Sequence, residues 1–366
     1  MMDSLAAWTP LALIWGVAVA ASVAVTGFAA LGGLGDIPQS RSLHTRTTPT
    51  AGGLGIIAGL GTGLWLASYQ MGGAPSGLLV ALAGAVALVF AAGVTGLFDD
   101  AYRMRARIKF TLIVGLAILA TRWLGPIQDI PAISFEAELP YWAGFAGTVL
   151  WIVTVTNAVN FMDGSNGLLG AAVNAALIGI AGWAAGSGAG AVALMAVALS
   201  GGLTGFLPYN FRAKAKVFAG DAGALPTGFA LGVMPLLPGF RGEALLLVPF
   251  VLLPLLADVF QTLLRRVRRG ENLGHAHREH LYQYLVERWG HVAVAWVYAG
   301  LTLAFSFAGV ALLARGWGLP VEGVAAAGVA LMVTMLLATQ ALRSGAPPHS
   351  RRELPEPRAT ARPENG

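Results

Sequence analysis

The stretch LLVALAGAVALVFAAGVTGLF, residues 78–98, carries no charge and runs straight into Asp99-Asp100-Ala101-Tyr102-Arg103-Met104-Arg105-Ala106-Arg107-Ile108-Lys109. About twenty consecutive apolar residues suffice to cross the hydrocarbon core of a bilayer as one helix. Two adjacent carboxyl groups at the end of such a run are costly unless they serve a purpose at the membrane surface. Four cations then follow two anions. Two readings stand: a site for phosphate and metal, or a juxtamembrane loop in which the acids pair with the arginines and the basic residues hold the helix end.

Outward from this run the pattern repeats. The chain of 366 residues is 56% hydrophobic and 11% charged. Its apolar residues come in blocks of about twenty rather than in a 3.6-residue stripe, as lipid-exposed helices do. Spans are expected near 11–34, 53–71, 76–97, 108–124, 141–159, 167–186, 189–208, 223–240, 244–264, 291–314 and 321–342. The expected fold class is all-α, a polytopic integral membrane protein of about eleven transmembrane helices. Of the 23 Lys and Arg residues, 20 fall in the loops 36–52, 98–109, 210–222 and 265–290 and in the tail from 343, and only Arg122, Arg241 and Arg315 fall in the alternate set. This asymmetry puts the first set and the C-terminus in the cytoplasm and the N-terminus outside. No Lys or Arg precedes Arg41, so the first block lacks the basic start of a secretory signal and is expected to be a retained helix. Residues 1–343 read as a single transmembrane domain with its polar loops on the cytoplasmic face. Residues 344–366, rich in Pro, Arg, Glu and Ser, read as a disordered tail.

Several function classes fall away on composition. There is no cysteine, which excludes disulfides and thiolate metal sites. The pI near 9.8 could suggest nucleic acid, but the basic residues lie in short loops between spans and not on one folded face, so no nucleic-acid partner is expected. Glycine-rich runs such as Gly52-Gly53-Leu54-Gly55 and Gly59-Leu60-Gly61-Thr62-Gly63 sit at membrane depth, and no Gly-Lys-Ser/Thr follows them. They read as close helix packing rather than a phosphate loop.

Four more polar clusters fall on the same expected face as the Asp pair. Arg41-Ser42-Leu43-His44 leads to Pro49-Thr50-Ala51-Gly52-Gly53, which alone is an ordinary turn entering a helix. Asn157-Ala158-Val159-Asn160-Phe161-Met162-Asp163-Gly164-Ser165-Asn166-Gly167 holds more amides and carboxyls than a helix cap needs; it reads as a polar pocket for metal, ribose or base. In Lys214-Ala215-Lys216-Val217-Phe218-Ala219-Gly220-Asp221-Ala222-Gly223, the Asp between glycines is either an N-cap or a ligand of a hard cation at a helix start. Arg265-Arg266-Val267-Arg268-Arg269 reads as a positive-inside anchor. His275-Ala276-His277-Arg278-Glu279-His280 lacks the His-Glu-x-x-His spacing of a zinc site and suits a diphosphate or sugar hydroxyl better. Acids that bind Mg²⁺, bases that bind phosphate and a bilayer holding a second substrate together suggest phosphoryl transfer to or from a lipid.

In motif order from Arg41 to Gln283, the chain resembles the polyprenyl-phosphate N-acetylhexosamine-1-phosphate transferase superfamily, glycosyltransferase family 4, and within it the bacterial initiators of O-antigen. The resemblance implies transfer of N-acetylhexosamine-1-phosphate from a UDP-sugar to undecaprenyl or another polyprenyl phosphate, with UMP released and Mg²⁺, or Mn²⁺ in its place, as cofactor. It implies a bacterial inner-membrane enzyme with a cytoplasmic active site, with a homodimer left open. Asp99 and Asp100 then match the catalytic acid pair, and Lys109 a lysine on the diphosphate. Asp221 and Asn160 match metal ligands, and Asp163 and Asn166 positions lining the nucleotide. His275, His277, Arg278 and His280 match the loop on the diphosphate and sugar. Asn166 stands where the peptidoglycan translocase has Asp, and Ala224 where Ser commonly follows Gly-Asp-x-Gly.

The main alternative from another class is a multi-span ion-coupled transporter. Carriers place ionisable groups near the bilayer midplane; here the acids lie at span ends, with Asp258 the nearest to an exception. CDP-alcohol phosphotransferases and aromatic prenyltransferases need wider, repeated Asp motifs than this chain carries.

Overall fold

The computed structural model describes residues 2–32, 35–36, 48–70, 76–132, 137–240, 242–274 and 277–344. The Arg41–His44 cluster, His275 and the tail beyond Ser344 lie outside the described residues. The described chain is helical: α1 (Met2–Gly32), α2 (Gly53–Gln70), α3 (Ser76–Tyr102), α4 (Ala106–Leu124), α5 (Tyr141–Met162), α6 (Leu168–Gly186), α7 (Gly190–Asn210), α8 (Asp221–Val233), α9 (Leu247–Val251), α10 (Leu253–Arg268), α11 (Leu281–Ala314) and α12 (Val321–Ser344). The sheet content among the described residues is two antiparallel pairings of two residues each, Gly35–Asp36 with Thr48–Pro49 and Asp129–Ile130 with Ala137–Glu138. Seven helices, α1, α3, α5, α6, α7, α11 and α12, are long and apolar enough to cross a membrane by length and composition. The protein is thus a multi-span membrane protein.

Two of the expected spans are not single helices, and proline explains both. The block 223–240 is helical only to Val233; Met234-Pro235-Leu236 makes one 3₁₀ turn, and Gly239 adopts a φ of 83°. At 1.5 Å per residue α8 is about 20 Å long, short of a bilayer core of about 30 Å. The block 244–264 breaks at Leu252 between α9 and α10, because Pro254 has no N–H to give and its ring crowds the preceding turn. α11 starts ten residues before the expected 291, and it bends at Gly290 (φ 77°, ψ 166°).

α8 is the centre of the bundle. Every residue from Ala222 to Val233 is buried, as expected of a helix that is apolar all round, and α3 and α5 flank it. α1, α2 and α7 form a second packed group through small residues: a Cβ added at Gly59 would stand 2.6 Å from the Gly202 Cα and 2.7 Å from the Ala18 carbonyl oxygen. The glycine-rich runs therefore do pack helices, as in small-residue membrane interfaces. α10 is amphipathic in the inverted sense. Asp258, Gln261, Thr262, Arg265 and Arg266, at i, i+3, i+4, i+7 and i+8, are buried, while Phe260 and Val267 are exposed. Such a polar stripe turned inward serves a site and not solvent.

Candidate active site

The end of α3, the start of α4, the end of α5 and the start of α8 meet at one end of the bundle. α3 comes close to α8 because position 96 is Gly: a Cβ there would collide with the backbone of Asp221 and Ala222. On the other side the segment after the first pairing docks edge-on. The N–H groups of Gly52 and Gly53 donate to the carbonyls of Phe218 and Ala219 at 3.0 Å each, and the Phe218 N–H donates to the Pro49 carbonyl at 2.8 Å. The described half of the first polar cluster thus lies against the Gly220-Asp221 turn.

Adjacent aspartates on a helix point about 100° apart, and here they do different work. Asp100 Oδ1 accepts the Asp221 N–H and its Oδ2 the Ala222 N–H, both at 3.0 Å. Those are orphan donors at the start of α8, so Asp100 caps α8 from another helix. Asp99 Oδ2 accepts a bond from Lys109 Nζ at 3.0 Å, and the same ammonium makes a short ion pair with Asp221 Oδ2. Lys109 reaches both because it sits in the first turn of α4, after the tight turn at Arg103 (φ 50°).

Asp163 follows α5 and faces the same cluster. Its carboxyl is pushed well above the ordinary carboxylate range by burial, then by the neighbouring Asp221 and Asp100 carboxyls, because no cation or N–H donor from the described residues offsets them. Four carboxyl groups in one cluster, with Lys109 bridging two of them, Asp99 and Asp221, are hard oxygen donors of the kind that suits a divalent cation such as Mg²⁺. Among the described residues, no three His, Asp or Glu side chains converge at metal-ligating spacing; Lys109 lies between Asp99 and Asp221. Asn160 is half-buried in the last turn of α5, and its backbone carbonyl accepts the Asp163 N–H at 3.2 Å.

Asn166 ties two loops together. It is buried, its Nδ2 donates to the carbonyls of Arg212 (3.0 Å) and Ala213 (3.3 Å), and its N–H points to His291 Nδ1 at 3.3 Å. The next residue donates its N–H to Asn210 Oδ1 at 2.6 Å, while Asn210 Nδ2 holds the Val217 carbonyl at 2.9 Å. Asn166 and Asn210 therefore fasten the 163–167 turn to the 211–220 loop.

The histidine loop adjoins through Phe161, whose ring centroid is 6.4 Å from that of His277 and 6.0 Å from that of His280. The two imidazoles stand 5.0 Å apart. His280 is buried at the start of α11, and burial pushes its imidazole down to about 4 against the pull of Asp258. His277 and Arg278 are half-buried. The arginine run is not simply a lipid anchor. Arg266, buried, bonds Glu271 Oε2 (3.0 Å), the Asn272 carbonyl (2.8 Å) and, in a short contact, His277 Nδ1. Arg265 bonds Gln261 Oε1 at 3.0 Å and closely contacts the Glu279 carbonyl. Arg269 and Glu279 form a short ion pair. Burial works to raise the Glu279 carboxyl, but the hydrogen bond and charge of Arg269, with Arg343 and Arg265, hold it below its ordinary value.

Of the residues singled out in the sequence, Asp99, Asp100, Lys109, Asp163 and Asp221 are brought together, and His277 and His280 lie beside them. In the sequence Asn210 and His291 carry no expected role, the arginines at 265 and 266 read only as a positive-inside anchor, and Asp258 stands as an exception. The i, i+3, i+4, i+7, i+8 polar spacing from Asp258 to Arg266 was the signal that could have found the last group.

Residues 81–238 match the family model for glycosyl transferase family 4. The chain is 30% identical over 336 residues to the decaprenyl-phosphate N-acetylglucosaminephosphotransferase of Mycolicibacterium smegmatis, covering 82% of this chain and 80% of that protein. It is 29% identical over 256 residues to a probable undecaprenyl-phosphate N-acetylglucosaminyl 1-phosphate transferase of Bacillus subtilis, covering 69% of each. Against a phospho-N-acetylmuramoyl-pentapeptide-transferase of Synechococcus sp. the identity is 31% over 290 residues, 72% of this chain and 78% of that protein. The family match begins in α3 and ends past α8, so it spans the helix ends on which the acidic cluster is built, and the chain belongs to the polyprenyl-phosphate N-acetylhexosamine-1-phosphate transferase superfamily, glycosyltransferase family 4.

Proposed function

We propose that the protein transfers N-acetylhexosamine-1-phosphate from a UDP-sugar to a polyprenyl phosphate such as undecaprenyl phosphate, giving polyprenyl-diphospho-sugar and UMP. The observation that carries this reading is the cluster of Asp99, Asp100, Asp163 and Asp221, in which Lys109 bridges Asp99 and Asp221. An oxygen of the lipid phosphate attacks the β-phosphorus of the UDP-sugar, and the bond from that phosphorus to the bridging oxygen breaks as UMP departs. Two anions must meet, so the protein's task is to offset their repulsion and steady the leaving phosphate.

Lys109 and Arg278 supply positive charge to the diphosphate. Asp99 accepts the remaining proton of the lipid phosphate, and Asp100 holds α8 so that Asp221 presents its carboxyl at the helix start. Asp221, Asp163 and Asn160 would hold Mg²⁺, or Mn²⁺ in its place, which supplies charge neutralisation at the phosphates when bound. Asn166 shapes the nucleotide pocket by fastening its two loops, and His277 and His280 border the sugar side.

The Lys and Arg asymmetry supports a site on the cytoplasmic face of a bacterial inner membrane, with the N-terminus outside and about eleven crossings when the short and broken helices are counted. The product would initiate a cell-surface polysaccharide of the O-antigen class, and the enzyme works as a monomer or homodimer. The transporter reading is not favoured, since Asp258, the acid deepest in a span, is filled with hydrogen bonds from protein donors. The test is UMP release by detergent-purified protein with undecaprenyl phosphate, Mg²⁺ and a panel of UDP-N-acetylhexosamines. Release that needs both substrates and the metal is the expected result; none from any donor would sink the proposal.

A further inference from the structure

We infer that Asp258 is a positioning residue that sets the His277–His280 loop against the acidic cluster by capping α11 from α10. Its side chain is fully buried. Oδ1 accepts the Leu281 N–H at 2.7 Å and Gln261 Nε2 at 3.0 Å; Oδ2 accepts the Tyr282 N–H at 3.0 Å and the Tyr298 hydroxyl at 2.7 Å. Four donors on two oxygens make a saturated site, so this carboxyl has no capacity left for a transported ion.

The two backbone donors are the first N–H groups of α11, which no intrahelical carbonyl can satisfy. They belong to the residues immediately after His280, so the carboxyl fixes where the loop ends. Tyr282 carries that placement into the site: its hydroxyl donates to the Phe161 carbonyl at 3.1 Å, two residues before Asp163. The loop's other root is held by Arg266 on the same face of α10. One helix face therefore pins both ends of the segment that bears His277 and Arg278. The same device, a carboxyl from one helix capping another, joins Asp100 to α8. Asn is not a substitute at 258, because its amide nitrogen would point a hydrogen at one of the two backbone N–H groups. The kinetic half of the inference rests on the reading of this loop as a contact for the sugar diphosphate; the structural half does not.

The test uses the full chain in detergent, with hydrogen exchange and UMP-release kinetics on Asp258→Asn and Tyr298→Phe. In Asp258→Asn, exchange over 277–286 is expected to speed up by about tenfold or more while α7 keeps its protection, and kcat/KM for the UDP-sugar to fall about 10- to 100-fold, as loss of a charged hydrogen bond implies. The Mg²⁺ dependence should stay as in the wild type. Tyr298→Phe, which keeps three of the four donors, should move both readouts the same way by a few-fold. A folded Asp258→Asn with wild-type exchange in 277–286 overturns the inference, as does loosening spread evenly over all helices. Should Asp258→Asn fail to fold, Tyr298→Phe and Tyr282→Phe decide: local loosening with reduced kcat/KM supports the inference, and wild-type values in both overturn it. If the wild type releases no UMP from any donor, the proposed function fails, while the exchange result still judges the capping role.

Discussion

Gly220→Ala probes the junction on which the site depends. Gly220 sits at φ 65° and ψ −178°, a region that side-chain-bearing residues occupy at a cost of about 1–3 kcal/mol. A Cβ there would also stand 2.5 Å from Asp100 Oδ2 and 2.9 Å from the Thr50 carbonyl oxygen. The backbone carbonyl cannot swing away, so Asp100 must, and losing one of its bonds to the start of α8 costs about 1.5–3 kcal/mol. Strain and lost cap together come to roughly 2.5–6 kcal/mol, and the displaced helix start carries Asp221 with it. A matched control is Gly188→Ala, which has φ 80° but nothing within 4 Å of the added carbon. It should lose only the strain, and it lies far from the acidic cluster, between α6 and α7. Thermal unfolding in detergent and UMP release should show both variants destabilised but only Gly220→Ala nearly inactive. Equal turnover in the two variants would refute the coupling of Gly220, Asp100 and Asp221.

Four other substitutions probe the same geometry. Asp163→Asn should raise thermal stability in chelator, because it removes a carboxyl pressed against Asp221 and Asp100 without a donor among the described residues, and should lower activity and Mg²⁺ affinity; unfolding curves and metal titrations check this. His280 keeps its imidazole near 4 when folded against about 6.5 when unfolded. Its contribution is therefore whole above pH 6.5 and is lost as pH falls from about 6.5 to 4, up to about 3 kcal/mol, and His280→Gln should lose that part of the acid slope in pH-dependent unfolding. Asp99→Asn, which alters the contacts with Lys109 and Asp221, should lower kcat with UDP-sugar affinity within a few-fold. Asp100→Asn should lower stability as well as activity because one α8 N–H loses its acceptor; steady-state kinetics and binding separate the two.

The helices were legible because lipid-facing segments must be apolar over a bilayer's thickness, and the acid pair was legible because charge at the end of such a run needs a reason. What the sequence concealed is set by partners far along the chain. Asp100 reads as half of a catalytic pair, but its donors are backbone groups of residues 221 and 222, which leave no mark in composition. Asp258 read as an oddity within a span for the same reason, its donors being backbone groups of residues 281 and 282. Asn166 lies in a motif pointing at nucleotide, yet its amide is committed to the carbonyls of 212 and 213. The arginines at 265 and 266 obey the positive-inside pattern and are nonetheless buried around the histidine loop. α8 and the α9–α10 break show the limit of block length as a guide, since Pro235 and Pro254 interrupt runs whose hydropathy alone reads as continuous.

In the proposed reaction the bond broken lies between the two phosphates of the donor. UDP-N-acetylhexosamine labelled with ³²P at the β-phosphate, incubated with the purified protein, Mg²⁺ and undecaprenyl phosphate, tests it directly. The label should move into the extractable lipid in step with the release of unlabelled UMP. Label left in water-soluble UDP while the sugar alone reaches the lipid would contradict it.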